Sequence, residues 1–185
     1  MPWPGSDEAD EDFRAFMAGR AHALRRTAYG LCGDWHHAED LVQTTFTRAY
    51  ASWGRVRAAV DTDAYLRTVL TNTYIDETRR GRWREQPTAD VPEGAVDDGH
   101  GSLDDRDALV AALAAVPPRQ RVCLVLRFLD DRSVEEVAAM LRCRPGTVKS
   151  QTARGLAALR TALMSTAPDL VPRLDGTPER TGTPR

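Results

Sequence analysis

The stretch RCRPGTVKSQTARGLAALR, residues 142–160, carries Arg142, Arg144, Lys149, Arg154 and Arg160 with no acid among them. Lys149 is the single lysine in a chain with 25 Lys plus Arg. From Val137 to Pro168 there is no carboxylate at all, although the whole chain holds 27 Asp plus Glu and a formal net charge of −2. Guanidinium and ammonium groups interleaved with Thr147, Ser150 and Gln151 suit one chemistry well: holding phosphate oxygens and hydrogen-bonding base edges. A carboxylate on such a face would be repelled by phosphates, whereas an ordinary solvated helix face mixes both signs. The expected DNA-reading set is therefore Arg142, Arg144, Thr147, Lys149, Ser150, Gln151 and Arg154.

Other chemistries find little support. Cys32, Cys123 and Cys143 are odd in number, far apart and without a CxxC pair, which argues against a disulfide framework or a zinc site. His36 and His37 are adjacent, so on a helix they point about 100° apart and make a poor metal pair. There is no Gly-rich phosphate loop and no nucleophile with an obvious base, so neither a catalytic residue nor a cofactor is expected. Paired acids such as Asp104-Asp105 and Asp130-Asp131 fall where capping and solvation explain them. No run approaches the roughly 20 apolar residues that cross a bilayer, and the acidic MPWPGSDEADEDF start is unlike a signal peptide. A cytoplasmic protein is expected.

The basic stretch needs elements to hold it. Ser133 with Glu136 is a capping box that opens a short helix packed through Val137, Ala138 and Leu141. The chain then turns through Arg142 to Arg144. Pro145 suits the first turn of a last helix, with Val148, Leu156, Leu159 and Leu163 inward. Two helices joined by so short a turn form a helix–turn–helix, whose second helix enters the major groove by its N-terminal end. Upstream, Ser102 with Asp105 resembles a cap for a helix containing Leu109, Leu113 and Val116. Pro117-Pro118 ends it and starts another, containing Val122, Val125, Leu126 and Leu129.

The N-terminal half is helical as well. Phe13, Phe16, Met17, Leu24, Ala28 and Leu31 form a first stripe, closed by Gly33. Asp34 can cap a second helix with Ala38, Leu41, Val42, Phe46, Ala49 and Trp53 on one side. A third is expected from about Asp63 to Arg84, through Leu66, Val69, Leu70 and Ile75. The fold expected is thus all-α, with two small helical domains joined by an acidic flexible linker. The boundaries are an acidic disordered N-terminus at 1–9, a first domain at 10–84, the linker at 85–103, a helix–turn–helix domain at 104–166 and a disordered tail at 167–185. Charge is segregated to match. Asp7 to Asp12 holds five acids and no base, RRGRWR at 79–84 holds four arginines, and Glu85 to Asp107 holds eight acids against Arg106.

AEDLVQTTFTRAY, AYLRTVLTNTYIDETRR and SVEEVAAMLRCRPGTVKSQTARGLAALR together resemble bacterial RNA polymerase sigma factors of the extracytoplasmic-function (ECF) type, group IV of the sigma-70 family. The likeness is closest to the actinobacterial SigE-like group and covers roughly residues 10–165. It implies a σ2 and a σ4 domain, with σ4 reading the −35 promoter element. It also implies that Glu39, Asp40, Gln43 and Arg48 dock on the clamp helices of the polymerase largest subunit, with the flap as a further contact. Arg67, Asn72 and Tyr74 would capture and open the −10 element, and Arg79, Arg80, Arg82 and Arg84 would hold phosphates. Partners implied are core RNA polymerase and promoter DNA, with an anti-sigma factor as a candidate regulator and no membrane. Thr44 and Thr47 depart from the family pattern, as does Gln151, which replaces a frequent arginine. The runner-up is a stand-alone helix–turn–helix transcriptional regulator.

Overall fold

The first three helices are set by their ends. In the computed structural model, which describes residues 7–81 and 103–172, α1 spans Asp7–Cys32 and α2 spans Trp35–Ala51. Between them Gly33 takes φ +71° and returns its N–H to the Tyr29 carbonyl at 2.7 Å, a left-handed helix stop that suits glycine. Asp34 then caps α2 by accepting from His37 N at 2.7 Å. Ser52 breaks the helical path (φ −123°, ψ 24°), so α3, Trp53–Arg57, is a separate short helix. Trp53 therefore does not extend the α2 stripe. It joins Phe13, Phe16 and Tyr50 in an aromatic cluster instead, with its ring 5.0 Å from Phe13 and 4.9 Å from Phe16.

Helix α4, Thr62–Arg79, is capped by Asp61, which accepts from Ala64 N at 2.8 Å. It stops short of the expected Arg84 because Gly81, at φ +63°, turns the chain. Leu24, Ala28, Leu31, Leu41, Val42, Phe46, Val56, Leu66, Leu70 and Tyr74 are buried between these helices.

The second half contains α5 (Leu103–Ala114), α6 (Pro118–Leu124), α7 (Val134–Met140) and α8 (Pro145–Thr166). After α6 the chain widens into a π-turn, Val125–Leu129, with Asp130 N donating to Val125 O at 3.1 Å. The extra residue rotates the face, and Leu129 is 39% exposed where the helical stripe predicts burial. Leu156 is also 39% exposed rather than inward, because neighbouring Gly155 takes the packed position. A Cβ there would come within 3.1 Å of the Leu124 side chain. The expected capping role of Ser102 lies outside the described residues. Helix α1 begins at Asp7, and Leu170 and Val171 pack on the core of Ala112, Val116, Leu124, Leu159 and Leu163. Among the described residues there is no strand.

The two halves are packed together. Val122, Cys123, Val125, Leu126, Val137, Ala138, Met140 and Val148 belong to the same buried cluster as the α1, α2 and α4 core. Gly30 permits this closeness, since a Cβ there would meet Leu129 Cδ2 at 2.9 Å.

Candidate nucleic-acid interface

The α7–α8 unit is built from local hydrogen bonds. Ser133 Oγ accepts from Glu136 N at 3.1 Å, and Glu136 Oε2 accepts from Ser133 N at 2.7 Å, completing the capping box. The Ser133 backbone bond, with the Ser133 hydroxyl and Arg132, holds the Glu136 carboxyl down to about 2. At the other end of α7, Cys143 N donates to Ala138 O at 3.0 Å and Arg142 N to Ala139 O at 3.3 Å. This 6→1 and 5→2 pair is a Schellman motif, whose C′ position needs positive φ. Arg142 occupies it at φ 50° where glycine would be the unstrained choice. A cation has been placed at the tip of the turn against backbone preference.

Arg144 is the N-cap of α8 in extended conformation, and no side chain caps that end. Pro145 has no N–H, and the Thr147 and Val148 N–H groups donate to Arg144 O at 2.8 and 3.3 Å, so it is the positive end of the helix dipole that suits an anionic partner. Val148 is fully buried and fixes the rotation of α8, which leaves Arg142, Arg144, Thr147, Lys149, Ser150 and Arg154 exposed and Gln151 half-buried. The Ser150 hydroxyl donates to Thr147 O at 3.0 Å, so its remaining capacity is as an acceptor. All seven residues of the expected set lie on the turn or the first three turns of α8.

On α2, Asp40 and Gln43 are exposed, while Glu39 is half-buried and pairs with Arg25 Nε at 2.6 Å. Arg48 lies about 140° round the helix from Gln43 and donates to Thr73 Oγ1 on α4 at 2.7 Å. The structure brings Glu39, Asp40 and Gln43 together and sets Arg48 apart.

On α4, Asn72, Arg79 and Arg80 are exposed. Arg82 and Arg84 lie outside the described residues. Tyr74 is fully buried, with the Arg121 guanidinium 6.0 Å from its ring centre. Arg67 is also buried, and its Nε donates to Asp130 Oδ2 at 2.8 Å. Thr27 Oγ1 lies 2.8 Å from Asp130 Oδ1. Arg121, 1% exposed, donates to Leu31 O at 2.7 Å, to Val116 O at 3.0 Å and to Ala114 O. Thr27 and Arg121 were not singled out by sequence patterns, and Asp130, expected to be explained by capping and solvation, is instead a buried partner of Arg67 with its side chain 6% exposed. Among the described residues no His/Cys/Asp/Glu group could hold a metal, and no helix is long and apolar enough to cross a membrane.

A helix–turn–helix with an acid-free reading face, carried with a second helical bundle on one chain, defines a DNA-binding transcription protein. Two family models cover that plan: Sigma-70 region 2 matches residues 13–84 and Sigma-70, region 4 matches residues 106–159. The RNA polymerase sigma-E factor of Streptomyces coelicolor is 38% identical over 154 residues, covering 83% of this chain and 87% of that protein. The ECF RNA polymerase sigma factor SigE of Mycolicibacterium smegmatis is 36% identical over 154 residues, covering 76% of this chain and 58% of that protein. Among solved structures, the sigma factor RpoE of Bartonella quintana, crystallised with the anti-sigma factor NepR, matches at TM-score 0.67 and 27% identity, covering 83% of this chain and 98% of that one. The chain belongs to the sigma-70 family of RNA polymerase sigma factors, in its ECF group.

Proposed function

We propose that this chain docks on core RNA polymerase through Glu39, Asp40 and Gln43 of α2 and reads the −35 element with Arg142, Arg144, Thr147, Lys149, Ser150, Gln151 and Arg154. Asn72, Arg79 and Arg80 form the exposed part of the −10 region, Arg82 and Arg84 continue it, Arg67 and Tyr74 are its buried members, and Arg48 supports the docking face from its place against α4. The σ2 unit corresponds to 10–84 and the σ4 unit to 104–166, as the sequence boundaries have it. The chain makes and breaks no bonds, since polymerase supplies the chemistry. It acts in the cytoplasm, and an anti-sigma factor is its natural regulator, by analogy with the Bartonella quintana complex.

The exposed, acid-free face of α8 carries this reading. A stand-alone regulator would use that face too, but it would have no use for a region 2 spanning residues 13–84. The test is runoff transcription on pooled genomic fragments with sigma-free actinobacterial core polymerase, comparing the wild-type protein with Asp40→Arg. Discrete new transcripts with wild type, lost with Asp40→Arg, are expected. DNA shifts without polymerase and no transcripts would replace the reading with the stand-alone regulator.

A further inference from the structure

Two thiols stand together in the helix–turn–helix half, and the reading of DNA uses neither of them. Cys123, on α6, is 2% exposed inside the buried cluster, and Cys143 packs against that cluster from the α7–α8 turn. Helices α6 and α7 both pack on α8. Burial, with the neighbouring Cys143 adding to it, pushes the Cys123 thiol up to about 11. Cys143 is half-buried, so solvent reaches it, whereas Cys32 is buried in the other half and donates to Asp34 O at 3.2 Å. Cys143 is also the centre of the DNA-reading turn. Its N–H closes the Schellman motif on Ala138 O at 3.0 Å, Arg142 before it stands at φ 50°, and Arg144 after it is the N-cap of α8. These three residues lie outside both helices and the left-handed Arg142 is strained, so the turn yields more readily than the helices around it.

We propose that Cys143 and Cys123 form an oxidation site: a hydroperoxide joins them in a disulfide that draws the turn inward and withdraws Arg142 and Arg144 from the −35 element. Atoms and electrons balance over two steps. The Cys143 thiolate attacks a peroxide oxygen, giving a sulfenic acid and releasing an alcohol or, from hydrogen peroxide, water. The Cys123 sulfur then displaces hydroxide from the sulfenic acid, and that hydroxide leaves as water with the Cys123 proton. The two thiols lose two electrons, and the cleaved O–O bond takes them. The roles are unequal: Cys143 meets the oxidant, while Cys123, held as the thiol at neutral pH, only resolves it. Bonded sulfurs sit about 2.05 Å apart, closer than any non-bonded contact, so closure must move the softer of the two supports, which is the turn. The effect on DNA rests on the assignment of Arg142 and Arg144 to the −35 element.

The test uses the full chain, oxidised with hydrogen peroxide, freed of excess oxidant and then added to core polymerase. Trypsin under non-reducing conditions should yield the peptide Val122–Arg127 linked to Cys143–Lys149, two hydrogens lighter than the separate peptides. Holoenzyme carrying the oxidised chain should bind promoter duplex more weakly, with a salt slope reduced by up to about 1.8 for two lost phosphate contacts. Dithiothreitol should restore both. Cys143→Ser and Cys123→Ala, with helicity checked by circular dichroism, should keep the reduced wild-type slope after peroxide. Absence of the linked peptide, a linkage through Cys32, or oxidation of Cys143 alone would overturn the proposal. So would a linked chain that binds promoter like the reduced one, or a peroxide effect that persists in Cys143→Ser. Runoff transcription by the reduced wild type judges the initiation-factor reading separately, because the peptide linkage does not depend on it.

Discussion

Arg142 can be made to separate stability from DNA affinity with one substitution. It sits at the C′ position of the α7 Schellman motif with φ 50°. A side chain in the left-handed region costs roughly 1–2 kcal/mol relative to right-handed backbone. Glycine removes that strain but gives back about 0.4–1 kcal/mol through the freer unfolded chain. Arg142→Gly should therefore stabilise the protein by about 0.5–1 kcal/mol, raising Tm by about 2 °C for a chain of this size. The same change removes an exposed cation from the DNA face. If Arg142 holds one phosphate, the salt slope of promoter binding falls by about 0.9, so its affinity loss shrinks about 3.5-fold between 50 and 200 mM salt. Thermal unfolding of the free protein and salt-titrated promoter binding by the assembled polymerase should thus move in opposite directions. A lowered Tm would refute the strain argument, and salt dependences parallel to wild type would remove Arg142 from the DNA face.

Arg121→Met should destabilise the protein by about 2–3 kcal/mol, since three buried carbonyls lose their donor at roughly 1 kcal/mol or more each, partly offset by not burying a charge. Calorimetry checks this, and a neutral or positive shift in Tm would mean that desolvating the guanidinium outweighs its hydrogen bonds. Glu136 is depressed to about 2 from 4.5, so its contribution is fully present above pH 4.5 and fades as pH falls towards 2. Glu136→Gln keeps a capping-box acceptor but removes the charge. With the side chain half exposed and screened by water, it should remove that part of the acid dependence at only about 0.5 kcal/mol near pH 7, and identical acid unfolding curves would count against a charge-assisted bond to Ser133 and Arg132. Burial pushes the Cys32 thiol to about 12 and the Cys123 thiol to about 11, while Cys143 is half-buried. Iodoacetamide at pH 8 followed by peptide mass spectrometry should therefore label Cys143 first, and earlier modification of Cys32 or Cys123 would contradict the packing.

Legibility in the sequence followed the range of the interaction. The Asp34 cap, the Gly33 stop, the Pro118 start and the Ser133–Glu136 capping box act within a few residues, and all four stand where local chemistry places them. The basic face of α8 was legible for the same reason, because Val148 and Leu159 fix the helix rotation and the cations follow. Leu129 was misplaced because helical periodicity does not anticipate a π-turn. Arg121 lies 90 residues from Leu31, and Asp130 lies 63 from Arg67 and 103 from Thr27, so no local pattern reports those partners. A trace of Arg121 was nonetheless present. It lies four residues before Val125, on the inward side of α6, and a cation in an inward position needs buried acceptors.

The polar character of the joint between the halves follows from what a two-site promoter reader must do. An interface sealed only by apolar side chains would expose all of that surface to water on opening, at about 25 cal/mol per Å². Here Val125 and Leu126 supply apolar contact, but the centre is Arg67, Asp130, Thr27 and Arg121. On separation water solvates those groups well, so their mutual attraction in the closed state is largely replaced rather than lost. Closed, they demand one geometry, because a buried charge out of register is costly. A joint of this kind is specific when shut, and its polar centre costs less to expose than an apolar surface of the same area.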